Sequence, residues 1–191
     1  RSGESGNIFI IVFVAIILFA ALIYTFARGA PQGTDTLDSK QATLLASDIL
    51  SYGQQAERAV NRVYRRGISE NDISFENDFV AGYTNANCTE DRCKVFKPDG
   101  GSLGWQEPTS DLNGGMSWIF TGVNRVNGIG VQADADLIAV LPELPDSVCR
   151  TINERLGISH PAADSDYFII NTPFTGVFTN SAVINGMSGR N

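Results

Sequence analysis

The strongest pattern along the chain is an uncharged apolar run close to its N-terminus. The run covers Ile8–Ala27, twenty residues with the sequence IFIIVFVAIILFAALIYTFA. At about 1.5 Å per residue, a helix of this length spans roughly the 30 Å of a bilayer core. The apolar part of a secretory signal peptide is shorter, at about 7–15 residues, and ends in a small-residue cleavage site. The run therefore predicts a helix that lies in a membrane or in the apolar core of a filament.

A second, amphipathic helix is predicted behind the apolar run. Residues 28–33 have the sequence RGAPQG, and their Gly and Pro can interrupt or end a helix. Thr34 or Asp35 can cap a helix over 35–66, and Gly67 can end it in the C′ position. Apolar residues recur at helical spacing in this stretch and form one stripe. The stripe consists of Leu37, Leu44, Leu45, Ile49, Tyr52, Ala56, Val60 and Val63.

After Gly67 the pattern changes to short runs of β-branched and aromatic residues between Gly, Asn and Asp, which predict strands and turns. The candidate strands are Cys93–Phe96, Trp118–Thr121, Gly130–Val131, Leu137–Leu141 and Tyr167–Ile170. One further helix is predicted over Ser147–Leu156, with Asp146 or Ser147 as its cap and Gly157 as its end. Its predicted apolar face consists of Val148, Cys149, Ile152 and Leu156. The polar stretch from Thr179 onward is predicted to be loosely held.

These patterns together predict an α+β fold. A long N-terminal helix, with an apolar half, a Gly/Pro break and an amphipathic half, is expected to pack on a small, mainly antiparallel sheet with one further helix. The predicted division of the chain is a leader or N-terminal tail at 1–7, a transmembrane or filament-core helix at 8–27, the break at 28–33, and an extracellular globular head at 34–191. The head includes the amphipathic helix 35–66 and has a common single-domain size.

Charge is distributed unevenly along the 191 residues. The chain carries 14 Lys and Arg against 21 Asp and Glu, net -7, and residues 1–33 contribute +1, so the remainder carries −8. This acidic body argues against a nucleic-acid partner and suits an exported, solvated surface. The charge reverses at the end of the amphipathic helix, where Arg58, Arg62, Arg65 and Arg66 are followed by Glu70, Asp72, Glu76 and Asp78. Either these groups pair locally, or they form opposite patches that meet between subunits.

The three cysteines suggest one disulfide. Cys88 and Cys93 enclose four residues and can close a small loop across a hairpin, which an oxidising compartment would favour. A metal site and free thiols are the alternatives, but no second Cys or His pair completes a tetrahedral zinc site. Cys149 lies on the apolar face of the late helix and is predicted to be a buried core thiol.

Other candidate chemistry is sparse. His160 is the only histidine and precedes a proline in a polar loop, so no Ser-His-Asp or Cys-His arrangement is supported. Asp134 with Asp136, or Asp164 with Asp166, could ligate calcium, but neither pair follows an EF-hand pattern. We therefore assign no catalytic, cofactor or metal residue, expect no cofactor, and predict that the chain is not an enzyme.

The order of parts resembles that of bacterial type IV pilins, and within them the class-b-like pilins and related pilin-like proteins. The resemblance covers almost the whole chain as an architecture. The residues that carry it are Gly6-Asn7-Ile8-Phe9, the Gly29–Gly33 break, Val63-Tyr64-Arg65-Arg66-Gly67, the segment ISENDISF at 68–75, and the late helix with its glycine, Val148–Gly157.

The resemblance implies processing by a prepilin peptidase, which cuts pilins after a glycine. Gly6 is the matching position here, and Asn7 follows it where the family has Phe or Met. The family also places a Glu at the fifth mature residue, which is Ile11 in this chain, so the resemblance is to a divergent member without that carboxylate. Register between subunits would then depend on packing, or on Arg1 and Glu4 if residues 1–6 are retained.

The resemblance further implies a structural subunit of an extracellular type IV pilus-like filament. Its partners would be other copies in a helical homopolymer, the inner membrane before assembly, and the pilus assembly machinery with its peptidase; it would end as a secreted fimbrial filament at the cell surface. The alternative is a single-pass membrane-anchored periplasmic or surface protein, such as an assembly or adaptor factor, that never polymerises. The residues expected in the filament core are Ile8, Phe9, Phe13, Ile17, Phe19 and Phe26.

Overall fold

The structure of the chain is a computed structural model, and it describes residues 31–126, 134–159 and 171–184. The chain divides into two compact units, Arg1–Gln41 and Ala42–Asn191. The sheet and both clusters of buried residues lie within the second unit. The helices of the described residues are α1 (Pro31–Arg65), the one-turn α2 (Ser110–Asn113) and α3 (Asp146–Leu156), and the strands are β1 (Ile119–Val126), β2 (Asp136–Val140) and β3 (Ala182–Ile184).

Helix α1 begins at Pro31, inside the segment that was expected to interrupt it. Proline suits the first position of a helix, because its fixed φ is helical and its missing N–H has no intrahelical partner there. The predicted break at 28–33 is therefore wrong for residues 31–33, while residues 28–30 lie outside the described residues. The predicted end is confirmed: Gly67 has φ 82° and donates its N–H to the Tyr64 carbonyl at 2.9 Å.

The buried face of α1 differs from the predicted stripe, because it includes several small residues that the stripe omitted. Tyr52, Ala56 and Val63 are buried as expected, but Leu44 is 67% exposed. The side chain of Leu37 is outside the described part of the helix. Small side chains let the helix backbone approach its neighbours closely, which a pattern of large apolar residues does not reveal. The buried positions that the stripe omitted are Ala42, Ala46 and Ala59.

The sheet is mixed, with β1 at its centre in the order β2-β1-β3. Strand β1 pairs with β2 in the antiparallel sense, with Ile119 opposite Val140, and with β3 in the parallel sense, with Asn124 opposite Ala182. The prediction of a mainly antiparallel sheet is therefore wrong. Strand β3 comes from the stretch that was expected to be loosely held. Its three residues are too few to give a periodic signal.

Two of the five candidate strands are present in the described residues. Trp118–Thr121 and Leu137–Leu141 correspond to β1 and β2. Cys93–Phe96 is wrong, because Cys93 ends a 3-10 turn and the segment makes only a single bridge, between Ser74 and Lys94. Buried and half-buried residues still alternate along Cys93–Phe96, as they do in a strand. Gly130–Val131 and Tyr167–Ile170 lie outside the described residues.

Helix α3 confirms the predicted late helix within one residue at its start. Gly157 ends it in the left-handed conformation, with φ 67°. The expected cap is wrong: Pro145 occupies the cap position, no side chain caps the helix, and Asp146 instead forms an ion pair with Arg150 at 3.0 Å. The apolar face is shorter than predicted, because Leu156 is 54% exposed.

The buried residues of the second unit form two clusters. The larger lies between α1, β1 and the long connection between them, and aromatic rings fill its centre: Phe75 stacks on Phe120 at 4.4 Å and meets Phe174 edge-on at 6.1 Å. The smaller cluster joins α1 to α2 and α3 and consists of Ala42, Ala46, Leu112, Leu144 and Val148.

The predicted fold is thus wrong as a whole, although helices and a sheet both occur. In residues 31–126, 134–159 and 171–184 no helix is both long enough and apolar enough to cross a bilayer. The apolar run Ile8–Ala27 lies outside those ranges. What the structure shows is an α+β arrangement in which α1 and α3 accompany a three-stranded mixed sheet.

Candidate assembly surfaces

The predicted disulfide is confirmed. Cys88 and Cys93 are joined, with their Cα atoms 5.7 Å apart, and both residues are buried. The bridge closes the loop onto the 3-10 turn Asp91–Cys93. Cys149 is not part of this bridge and is half-buried against the smaller cluster, so it is less buried than predicted.

The remaining predicted site residues fall outside the part of the chain that the structure describes. Asn7 and Gly6, the processing candidates, precede residue 31, and so do the six expected residues of the filament core. These assignments stay predictions. The six are Ile8, Phe9, Phe13, Ile17, Phe19 and Phe26.

The C-terminal end of α1 is fastened to a glycine loop by two arginines. Arg62 Nη1 donates to the Gly101 carbonyl at 2.9 Å, and Arg66 Nη1 donates to the carbonyls of Gly100, at 3.1 Å, and Asp99. Neither glycine has room for a side chain, since a Cβ at Gly100 would collide with the Lys94 carbonyl. The glycine loop therefore packs tightly against residues 91–95 of the connection, and its carbonyls accept hydrogen bonds from both guanidinium groups.

The same arginines line an open basic groove on α1. The groove has a volume of about 760 Å³. None of its arginines forms an ion pair with a described residue, and two of them bond only to loop carbonyls. Local pairing with the acidic residues that follow in sequence is therefore not what the described structure contains. The groove is lined by Gln54, Glu57, Arg58, Asn61, Arg62, Arg65 and Arg66.

The acidic residues after α1 do not pair with its arginines in the described part of the chain. Glu76 pairs with Lys94 at 3.2 Å, and Asp91 lies 3.7 Å from the same ammonium group. The hydrogen bond to Glu76 raises the pKa of Lys94 above its ordinary value. Glu70, Asp72 and Asp78 make no ion pair in the described part of the chain. The charge reversal thus leaves a basic surface and an acidic surface on one molecule.

An exposed aromatic side chain stands beside this acidic stretch. Phe79 is 69% exposed and stacks on Trp105, with ring centres 5.7 Å apart and planes 7° from parallel. Trp105 donates its indole N–H to Glu107 at 2.6 Å, and Asn77 Oδ1 accepts the N–H of Phe79 at 2.9 Å. Stacking on Trp105 therefore holds the Phe79 ring, and the hydrogen bond to Asn77 holds the Phe79 backbone. We call Asp78, Phe79 and Trp105 the aromatic knob.

An apolar groove lies between α1 and β2. Its volume is about 200 Å³, and Phe75 and Phe120 of the larger cluster form part of its lining. Glu57 and Asn61 line both this groove and the basic groove, so the two adjoin. Strand β2 is at an edge of the described sheet. The other residues of the apolar groove are Gly53, Ala56, Val60, Leu137, Ile138 and Ala139.

Two buried tyrosines differ in how their hydroxyl groups are satisfied. Tyr83 accepts the N–H of Phe120 at 3.1 Å, whereas the Tyr52 hydroxyl makes no hydrogen bond of good geometry among the described residues. Burial raises the pKa of Tyr52 to about 12, an effect that the nearby backbone of Gln106 partly offsets. Burial likewise raises the pKa of Tyr83. Both tyrosines support the aromatic core.

The candidate calcium ligands do not come together with further carboxylates in the described residues. Asp136 Oδ2 accepts the N–H of Val126 at 2.7 Å, so it links the start of β2 to the end of β1. In the described ranges no group of three His, Cys, Asp or Glu side chains could hold a metal ion. His160, Asp164 and Asp166 lie in the gap between residues 159 and 171.

Sequence reasoning did not identify the knob or the apolar groove. The only local signal for the knob was a phenylalanine inside the polar segment Glu76-Asn77-Asp78-Phe79, which a buried turn anchor would also give. The groove combines helix, connection and strand residues that are far apart in sequence. Its neighbour, the basic groove, was visible as the arginine series, and that part of the charge analysis has a structural counterpart.

No family model matches the chain, and comparison with curated proteins and with solved structures finds no match either. The resemblance to pilins therefore depends on the order of parts and on the residues quoted for it above.

Proposed function

We propose that the chain is a structural subunit of an extracellular type IV pilus-like filament and that it polymerises through its apolar segment, Ile8–Ala27. The observation that carries the proposal is this uncharged twenty-residue run ahead of a polar, acidic body. Exposed to water, such a segment is unfavourable by about 25 cal/mol for each Å² of apolar surface. The same segments of neighbouring copies can replace lipid around it, which allows a subunit to leave the membrane for a fibre.

The surface of the head supports polymerisation over simple anchoring. A basic groove and separate acidic residues on one molecule, unpaired with each other in the described residues, suit a contact between unlike faces of two copies. Such a head-to-tail contact does not close on itself unless its rotation is a simple fraction of a circle, so it generates open helical filaments. Electrostatic complementarity would set the register of that contact.

The second candidate is a single-pass membrane-anchored periplasmic or surface protein. The apolar run alone suits that protein equally well, because a span of this length fits a bilayer. The anchored-protein candidate does not explain why the head carries both a basic and an acidic surface. The two candidates differ in one measurable property, which is whether copies of the chain assemble once lipid or detergent is withdrawn.

The experiment compares the full chain with Ile17→Arg and the matched control Ile17→Leu. Each protein is purified in mild detergent, the detergent is removed, and products are followed by light scattering and electron microscopy. An arginine at the centre of an apolar helix costs about 2.5–3.5 kcal/mol on insertion scales. We expect fibres from the wild type and Ile17→Leu, and none from Ile17→Arg. If the detergent is instead exchanged for lipid and the wild type stays as dispersed monomers there, with no fibres under either condition, the anchored protein is supported.

Processing gives an independent test of the pilin resemblance. The intact mass of protein isolated from its native cells should correspond to a chain that starts at Asn7 and carries a methylated amine, as cutting after Gly6 implies. A mass that retains residues 1–6 would show that this cut does not occur and would leave Glu4 as a carboxylate beside the apolar run.

A further inference from the structure

We propose that neighbouring copies join through their heads, with the aromatic knob of one copy inserted in the apolar groove of the next. The inference rests on the proposed self-assembly and names its head contact. The partner is therefore a second copy of this chain. The contact would pair Phe79 with the groove lined by Phe75 and Phe120, and Asp78 with the adjoining basic groove.

The knob has the properties of an interface anchor. A large aromatic side chain that is 69% exposed leaves most of its apolar surface available for a partner. Its orientation is fixed, because Trp105 stacks on one face of the ring and Asn77 accepts the N–H groups of both Phe79 and Val80, the latter at 2.7 Å. A side chain that is ordered before binding loses less conformational entropy when it binds.

The groove offers a matching apolar receptor. Its volume of about 200 Å³ is of the order needed for an aromatic side chain, and its lining is mostly apolar. Phe120 is 2% exposed and belongs to the well-packed core, so the floor of the groove is rigid. Central aromatic residues that enter such desolvated pockets contribute most of the binding energy in protein interfaces. Ala139 is exposed at the rim on the edge strand β2.

Charge on the two surfaces is complementary. Asp78 directly precedes Phe79, so a ring seated in the apolar groove brings the carboxylate to its border, where Glu57 and Asn61 adjoin the basic groove. Arg58 and Arg65 line that groove and make no ion pair with described residues, so either can pair with the Asp78 carboxylate of the next copy. Among the described residues that line the basic groove, Glu57 is the one carboxylate, and four arginines outnumber it.

The proposed contact joins two unlike surfaces, as a filament requires. Knob and groove are built from different residues, so a copy whose groove is filled still presents its own knob to a third copy. This arrangement is heterologous and can repeat without limit. The head contact would then fix the register of subunits. The apolar run cannot do so through a charge at its fifth position after Gly6, because that residue is Ile11.

The first test measures the critical concentration for fibre formation by the full chain after detergent removal. The variants are Phe79→Ala, which removes the knob, and Ala139→Trp, which fills the groove from an exposed position. The control is Val177→Ala, which truncates another exposed apolar residue, 59% exposed, outside both surfaces. We expect the critical concentration to rise about tenfold or more for the two variants, as for loss of a central aromatic anchor, and to stay unchanged for the control.

A charge exchange keeps the proposal testable if either variant folds poorly. Asp78→Arg and Arg58→Asp should each raise the critical concentration several-fold, and the double variant should return toward the wild-type value. Circular dichroism and the Cys88–Cys93 bridge serve as folding controls for each protein. Wild-type assembly with unchanged values for every folded variant would overturn the knob-and-groove contact and leave the filament function intact. Failure of the wild type to assemble would overturn both.

Discussion

The helix–sheet part of the head and the long connection between α1 and β1 are held together by different kinds of contact. Helix α1 and strand β1 bury a continuous apolar face in the larger cluster, whose members share the stabilisation. In the connection, residues 67–117, the regular structure consists of two 3-10 turns and the one-turn α2. The connection contributes Ile73, Phe75 and other residues to the same cluster, but single side chains and backbone groups hold the turns between them. Stability is therefore shared among many residues in the first region and depends more on single residues in the second.

Asparagine side chains illustrate the second kind of contact. The buried Asn85 donates to the carbonyls of Asn71 and Ile73, both at 2.8 Å, and so replaces the partners that a strand ladder would supply. Asn71 donates in turn to the Gly176 carbonyl at 3.0 Å. Gly176 has φ 91°, and a side chain there would collide with Asn85. The Asn85 amide thus satisfies two backbone carbonyls of the connection, so its loss should destabilise the connection locally.

The largest expected effect is in the helix–sheet part. Phe120→Ala should lower the free energy of unfolding by about 3–5 kcal/mol, because it removes a ring that contacts Phe75, Tyr83 and Phe96 and leaves a cavity. Urea unfolding of the full chain in mild detergent, followed by circular dichroism, measures it. Leu44→Ala, at a site 67% exposed on α1, is the control and should change stability by less than about 0.5 kcal/mol.

Loss of the disulfide should affect mainly the connection. Replacing both Cys88 and Cys93 by Ser should lower the free energy of unfolding by about 2–3 kcal/mol, since the unfolded chain loses its constraint. Hydrogen exchange should increase most in the segment around the 3-10 turn Asp91–Cys93, while the amides of α1 next to the larger cluster stay protected. Equal loss of protection throughout both regions would contradict the contrast drawn between them.

Asn85→Ala tests how much one side chain of the connection contributes to the free energy of unfolding. The substitution removes the Asn85 donor from the buried Ile73 carbonyl and leaves the part-buried Asn71 carbonyl only the long contact from Asn87, so we expect a loss of about 1–3 kcal/mol. Asn87→Ala is the matched control, because the Asn87 side chain is exposed and reaches the Asn71 carbonyl only at 3.5 Å. Comparable losses for the two variants would show that the buried amide has no special role.

The smallest effects should come from the tyrosine pair in the larger cluster. Tyr83→Phe removes the acceptor for the Phe120 N–H and should cost about 1 kcal/mol, whereas Tyr52→Phe removes a hydroxyl without a well-formed hydrogen bond and should be close to neutral. The reverse order of the two losses in urea unfolding would contradict the hydrogen bonding described here.

The same pair predicts a specific pH dependence. Because the pKa of Tyr52 rises from 10.0 to about 12 on folding, the native state keeps a proton that the unfolded state releases. This contribution is fully present below pH 10 and is lost as the pH rises through the folded pKa. Tyr52→Phe should therefore unfold less readily than the wild type between about pH 10 and pH 12, as measured by circular dichroism at each pH.

Sequence patterns succeeded where contacts are periodic. The end of α1 at Gly67, helix α3 and the positions of β1 and β2 follow from apolar spacing and turn residues. They failed where a small side chain faces the core, as at Ala46, because alanine gives little signal in a pattern of large residues. They also failed at Pro31, since the same proline can open a helix or interrupt one.

The connection and the surfaces were beyond such patterns for a physical reason. The bonds from Arg62 to Gly101 and from Asn71 to Gly176 join residues that are distant in sequence and differ in type, so no local period encodes them. Strand β3 pairs with β1 over only three residues. The arginine series was visible in the sequence, but its lack of ion pairs within the described residues depends on where the chain places the carboxylates.

The most direct measurement of the central claim, that this chain polymerises, is electron microscopy of material sheared from cells that produce it, combined with mass spectrometry of the isolated fibres. If the chain polymerises, the fibres contain peptides of the head, such as the segment with the Cys88–Cys93 bridge, as a main component. Recovery of the chain only in the membrane fraction, with no fibres that contain it, would show that it does not polymerise and favour an anchored protein.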